Sequence, residues 1–252
     1  LAKRKNLTRE DLEDVSIYEE LTQRRNNTYA FKDKVRLHDI SIRIKCLNEK
    51  QKQLRRAIEE KDVVISTGPA GTGRTYMSLL TALHLLKTEP QYQRLVLIKS
   101  LQIIKGEDLG YLPGTVAEKM EPYMYSFTGN LDKIFGTSSI TNALMNQGVI
   151  EVFPIAYIRG VTMDNAVVII DEAQNIDMHT FRTIITRIGR SCKMVFLGDV
   201  EQIDRRVTES CLARVAELFK NAEYAASVIF TDEESVRNPI IPNLLEVLKN
   251  EE

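Results

Sequence analysis

With 252 residues, 43% of them hydrophobic and 27% charged, the chain holds enough apolar side chains for a large core and enough charge for a soluble protein. No apolar run approaches the roughly 20 residues of a membrane-spanning helix, and the basic start Leu1–Lys5 has no apolar signal core, so a cytoplasmic protein is expected. Cys46, Cys192 and Cys211 are too few and too scattered for a zinc site or a disulfide framework, which suits a reducing compartment. The net charge of -1 conceals an asymmetry: the first 61 residues carry about 16 Lys/Arg against about 11 Asp/Glu, and the remainder is acidic. A basic front favours nucleic acid, although solvated faces of ordinary helices would look the same.

Residues 1–45 are polar and without a long period, and are expected to form an arm or helical appendage, with one helix in Asn6–Arg25 capped by Thr8. Residues 46–252 are expected to form the main domain. Asn48 is placed to cap a helix through Gln51, Leu54 and Ile58. Val63–Thr67 reads as a β-branched strand, Gly68–Gly73 as a turn-rich loop, Tyr76–Leu86 as an apolar helix and Leu95–Lys99 as a second buried strand. Gly106, Gly110, Pro113 and Gly114 punctuate a loop, followed by helices near Val116–Phe127 and Ser139–Met145. Further strands are expected at Ile150–Phe153, Val167–Ile170, Met194–Leu197 and Val228–Thr231, with helices at Met178–Ile188 and Val207–Phe219. Buried strands alternating with helices predict an α/β fold: a mainly parallel sheet of five or more strands with helices on both faces.

The loop Gly68-Pro69-Ala70-Gly71-Thr72-Gly73-Arg74-Thr75 follows a strand and opens a helix, the context that a phosphate-binding P-loop requires. Its glycines let backbone N–H groups converge on phosphates, and the helix adds its positive N-terminal end. Thr75 is placed to bind Mg²⁺ through its hydroxyl. Position 74 departs from the motif, which calls for Lys. Arg is longer, planar and forked, so phosphate binding is expected to survive the change better than hydrolysis.

Val167–Ile170 runs into the adjacent carboxylates Asp171 and Glu172. At the carboxyl end of a parallel strand, Asp171 would hold Mg²⁺ and Glu172 would act as general base on the attacking water. The next strand ends in Gly198-Asp199-Val200-Glu201-Gln202, where Asp199 and Gln202 can sit beside a γ-phosphate and sense its loss. Gln51, upstream of the loop, offers both a donor and an acceptor to an adenine edge; a surface Gln on a charged helix is the plain alternative.

Taken together these residues resemble the PhoH-like family, P-loop ATPases related to superfamily 1 helicases. The resemblance runs from about Gln51 to Val247. It rests on Gly68–Gly73, on Gly106-Glu-Asp-Leu-Gly-Tyr-Leu-Pro-Gly114, on Glu118-Lys-Met-Glu-Pro122, on Arg159-Gly160, on Asp171-Glu-Ala-Gln-Asn175, on Thr186-Arg-Ile-Gly189 and on the Gly198–Gln202 segment. It implies a RecA-like core, ATP and Mg²⁺ as ligands, a homo-oligomeric ring, most simply a hexamer, and RNA or single-stranded nucleic acid as partner. Lys99 and Lys105 are candidate phosphate contacts for such a strand. Arg74 departs from the family's Lys, and Ser100-Leu101 stands where the family usually has Arg-Pro. A ring ATPase often completes its site with a neighbour's arginine. Arg159, Arg187 and Arg237 are the candidates, with Arg187 preferred in trans and Arg237 in cis. The competing expectation is a nucleotide-binding ring-assembly module with weak hydrolysis because of Arg74; a metabolic kinase is disfavoured, since no acceptor-binding lid is recognisable.

Overall fold

Six short aliphatic runs pair side by side into one parallel sheet in the computed structural model, which describes residues 35–100, 116–158, 160–203 and 210–236. The strands are β1 (Val63–Thr67), β2 (Arg94–Lys99), β3 (Ile150–Pro154), β4 (Ala166–Asp171), β5 (Cys192–Gly198) and β6 (Ala225–Ile229). The helices are α1 (Glu49–Glu60), α2 (Arg74–Thr88), α3 (Val116–Phe135), α4 (Ser138–Asn146), α5 (Met178–Ile185) and α6 (Leu212–Phe219). The strand order is β3-β2-β4-β5-β1-β6, and every neighbouring pair is parallel. The expected helix in Asn6–Arg25, the Gly106–Gly114 block, Lys105, Arg159 and Arg237 lie outside the described residues.

The strands read as continuous apolar runs because both faces of the sheet are covered. Successive side chains alternate between two cores. Val64, Leu95, Leu97, Val167, Ile169, Val195 and Leu197 pack with Leu79 and Leu83 of α2, Phe127 and Leu131 of α3 and Leu144 of α4. Val63, Ile65, Val96, Ile98, Val168, Ile170, Met194 and Phe196 pack on the other face with Phe181 and Ile184 of α5 and Leu212 and Val215 of α6. The Phe181 and Phe196 rings lie 4.7 Å apart, which fixes α5 against β5.

Local chemistry sets the element ends. Asn48 caps α1, its side chain accepting from the Gln51 N–H at 2.8 Å, as the sequence predicts. Asp177 caps α5 by accepting from the Thr180 N–H at 2.7 Å. Helix α3 runs on to Phe135, past the expected end at Phe127 and through Gly129. The reason is its buried Phe127, Leu131 and Phe135, spaced four apart on one face, which outweigh a glycine's preference for freedom. Helix α5 stops at Ile185 instead of Ile188, because the Arg187 and Ile188 N–H groups reach back three residues, to the Ile184 and Ile185 carbonyls, in tighter turns. Strand β6 begins at Ala225, not Val228, because β1 pairs along its whole length, with Val63 opposite Ala225. Residues 35–46 lie against the first core through buried Leu37 and partly buried Val35, Ile40, Ile42, Ile44 and Cys46. Among the described residues no helix is long and apolar enough to cross a membrane.

In the order β4-β5-β1, three adjacent strands carry the acidic pair, the Gly198–Gln202 segment and the glycine-rich loop at the same carboxyl edge. Polar groups separated by more than a hundred residues in sequence therefore meet in one crevice.

Candidate functional site

The crevice is a cleft of about 500 Å³, lined by the loop from Ala70 to Thr75, by Asp171 and Glu172, and by Gly198, Asp199 and Gln202. Three loop glycines sit at φ of 144° (Gly68), 89° (Gly71) and 79° (Gly73), backbone conformations that L side chains rarely adopt. At Gly68 a Cβ would also lie 2.6 Å from both the Cβ and the carbonyl oxygen of Phe230. Gly73 is the N-cap of α2, so the N–H groups of the first helical turn have no intrahelical partner and open toward the cleft, where they favour an anion.

The chain braces this loop from three sides. The Ala70 N–H donates to Asp199 Oδ2 at 3.0 Å, the Val236 N–H donates to the Gly71 carbonyl at 2.9 Å, and Gln51 Nε2 donates to the Thr72 carbonyl at 3.0 Å. Thr72, itself buried, donates its hydroxyl to the Pro69 carbonyl at 3.2 Å. Gln51 requires a correction. It is only 2% exposed, does not line the cleft, and its Oε1 already accepts from the Leu47 N–H at 2.8 Å. Its amide clamps helix α1 onto the phosphate loop here and does not present an adenine-reading edge. Asp199 likewise spends one carboxylate oxygen on Ala70 and the other on the Glu201 N–H at 3.0 Å, while Gln202 stands exposed at the rim.

Arg74 is nearly buried, and its guanidinium donates to two backbone carbonyls, Gly198 O and, at 3.2 Å, Pro69 O. Burial pulls its pKa below the ordinary arginine value, while Asp199, Asp171 and Glu172 push the other way. It remains a cation in the cleft, but a tethered one.

Thr75 Oγ1 lies 3.5 Å from Asp171 Oδ1. A hydroxyl and a carboxylate, both hard oxygen donors, fit Mg²⁺, which takes one or two protein ligands and leaves the rest to phosphate and water. Burial, followed by the adjacent Glu172 charge, raises the Asp171 carboxyl to about 6, with Lys99 and Arg74 opposing. A carboxylate so poor in compensating charge gains most from a cation. Among the described residues no group of three or more His, Cys, Asp or Glu could hold a metal ion. Lys99 pairs in register with Asp171 across β2 and β4, and its Nζ donates to Ser126 Oγ at 3.1 Å, so its charge serves the acidic edge of the cleft.

Glu172 stands at φ 57°, ψ 34°, a left-handed conformation that a non-glycine residue holds only where its surroundings enforce it. Its Oε2 accepts from Gln174 Nε2 at 2.7 Å. Asn130 and Lys133 of α3, and Val236 beyond β6, also face the cleft, and sequence inspection singled out none of them. Gln174 sat in view inside the Asp171–Asn175 run, whereas Asn130 and Lys133 carry no local signal: only the docking of α3 brings them here. Arg187 lies in the turn after α5, its carbonyl accepting from the Met163 N–H at 2.8 Å just before β4, and it does not line its own chain's cleft.

A parallel sheet covered on both faces, with one strand inserted between the phosphate-loop strand and the acidic strand, is the α/β RecA-like P-loop architecture. Comparison with known proteins agrees with the motifs. The family model for PhoH-like proteins matches residues 43–249. A PhoH-like protein of Bacillus subtilis (strain 168) is 36% identical over 207 residues, covering 82% of this chain and 63% of its own length. A PhoH-like protein of Mycobacterium tuberculosis (strain ATCC 25618 / H37Rv) is 42% identical over 164 residues, covering 65% and 45%. Protein PhoH of Escherichia coli (strain K12) is 35% identical over 200 residues, covering 79% and 56%. The chain thus spans between about half and two thirds of these relatives. Among solved structures, the large terminase of a thermophilic bacteriophage has 12% identity and a TM-score of 0.49, covering 80% of this chain and 50% of its own. Pif1 helicase from Candida albicans has 14% identity and a TM-score of 0.39, covering 81% and 44%. At those scores neither structure bears on function. The phosphate loop, the acidic strand end and the match over residues 43–249 together place the chain in the PhoH-like family.

Proposed function

We propose that the chain binds ATP with Mg²⁺ in this cleft and hydrolyses it, and that hydrolysis is coupled to RNA or single-stranded nucleic acid by a homo-oligomeric, hexameric ring. The observation that carries the proposal is the meeting of Thr75, Asp171 and Glu172 at the mouth of the glycine-rich loop, with Thr75 Oγ1 3.5 Å from Asp171 Oδ1.

In this reading the N–H groups of Gly73, Arg74 and Thr75 hold the phosphates, and Thr75 with Asp171 holds Mg²⁺. Bound there, Mg²⁺ would supply positive charge against the charge that develops on the phosphates. Glu172 takes the proton of the attacking water, and Asp199 and Gln202 sit where departure of the γ-phosphate is felt. The positive charge balance of the first 61 residues suits attraction to a nucleic-acid backbone.

A second reading, a nucleotide-binding assembly module with weak hydrolysis, is favoured by one observation. The Arg74 guanidinium is tied to the Gly198 and Pro69 carbonyls and would have to leave them to reach a γ-phosphate. Measuring ATP hydrolysis with and without single-stranded RNA separates the two. Turnover stimulated by RNA supports the first; ATP-dependent ring formation without turnover supports the second.

A further inference from the structure

We propose that Gln174 is a positioning residue, a rigid amide link through which the loop after β5 sets the orientation of the Glu172 carboxylate. The inference rests on the hydrolysis reading above. Gln174 is 1% exposed and uses both ends of its amide. Nε2 donates to Glu172 Oε2 at 2.7 Å and lies 3.4 Å from the Gln202 carbonyl, while Oε1 accepts from the Asp199 N–H at 3.1 Å. Asp199 in turn accepts from the Ala70 N–H of the phosphate loop. One buried side chain therefore joins the general base to the strand end that touches the phosphate loop.

Two features show that the link is built for this contact. Gly198 leaves no room for a side chain, because a Cβ there would lie 2.7 Å from Gln174 Oε1 and 2.4 Å from Leu212 Cδ2. The left-handed backbone at Glu172 starts the 3-10 turn Ala173–Asn175, which carries Gln174 back beneath the carboxylate it binds. With Oε2 held by the amide, the second carboxylate oxygen is the one left to meet a water in the cleft. Only an amide does this. A carboxylate of the same shape keeps the bond from the Asp199 N–H but cannot donate to Glu172, and an aliphatic side chain does neither.

The test compares Gln174→Glu, the isosteric change, with Gln174→Leu, reading kcat and KM for ATP separately and the melting shift with ATP and Mg²⁺. The expected result is a kcat lowered roughly 10- to 100-fold in both variants, the range for loss of an outer partner that orients a working group, with KM and the melting shift nearly unchanged. A Gln174→Glu enzyme that keeps wild-type kcat overturns the proposal and leaves Gln174 as a support for Asp199. Loss of the ATP-dependent melting shift in both variants overturns it as well, in favour of a purely structural role. If the wild-type protein shows the melting shift but no turnover, hydrolysis is the reading that fails. The link is then decided by denaturation of Glu172→Gln, Gln174→Leu and the double variant: non-additive changes in stability support it, and additive ones overturn it.

Discussion

At position 74 the phosphate loop carries a forked guanidinium where its motif calls for a compact ammonium. The structure gives that difference a mechanical form, since Arg74 is fastened to the Gly198 and Pro69 carbonyls. Arg74→Lys is expected to raise kcat, because an ammonium makes fewer backbone bonds and extends toward the β- and γ-phosphates. Steady-state ATPase assays check this, and an unchanged or lower kcat contradicts it. Asp171 gives a pH-dependent expectation. Its folded pKa of about 6 lies above the ordinary aspartate value, so the folded state favours the proton. Its contribution to stability is therefore fullest below about pH 4, declines as pH rises toward 6 and stays reduced above it. Asp171→Asn removes that charge and should stabilise the ligand-free protein at pH 7.5 by on the order of 2 kcal/mol, with no gain at pH 4. The same change should abolish the Mg²⁺ dependence of nucleotide binding. Urea denaturation at the two pH values, with and without Mg²⁺, measures both effects. The gathering of Thr75, Asp171 and Glu172 at one cleft was legible in sequence because motif and strand end are local features. The engagement of Gln51 with Thr72 was not, because it depends on how α1 docks against the loop.

Among the elements, α3 was the least legible. Its expected end was Phe127, two residues before Gly129, yet the helix runs from Val116 to Phe135. Phe127, fully buried between α3 and the sheet, anchors it. Phe127→Ala should cost about 3–5 kcal/mol in chemical denaturation, from lost burial and the cavity left behind. Lys133, on the exposed side of the same helix, faces the cleft. Lys133→Ala is expected to weaken ATP binding roughly 2- to 5-fold, the size of a solvent-screened ion contact, and the difference should shrink as salt is raised. Titration with a fluorescent ATP analogue at two ionic strengths tests this; an effect that does not depend on salt would point to altered packing of α3 instead. The strands were easier to recognise. β1, β2, β4 and β5 are short β-branched or aliphatic runs buried on both faces, a pattern that fits few alternatives. β6, at the sheet edge with Ile229 half exposed, carries a weaker pattern, and its ends were accordingly misplaced.

For the molecule as a whole, the layered parallel sheet followed from alternation of strands and helices, whereas the order β3-β2-β4-β5-β1-β6 is a long-range property that no local pattern encodes. That order makes the site, by setting three motif loops side by side. It also leaves Arg187 away from its own chain's cleft, so a role for it in catalysis requires a second subunit. Mixing Glu172→Gln with Arg187→Ala subunits should then restore part of the activity that each lacks, and no recovery in rings shown to exchange subunits leaves Arg187 as a cation at a helix end. Each of these roles depends on nucleotide occupying the cleft, and the most direct measurement is the melting temperature with ATP and Mg²⁺ for wild type and Gly73→Asp. At ATP concentrations about 100-fold above Kd, wild type should rise by about 5–10 °C. Gly73→Asp, which sets a carboxylate against the phosphates at a left-handed backbone position, should not rise at all. An equal shift in the two proteins would place the nucleotide elsewhere and contradict the account.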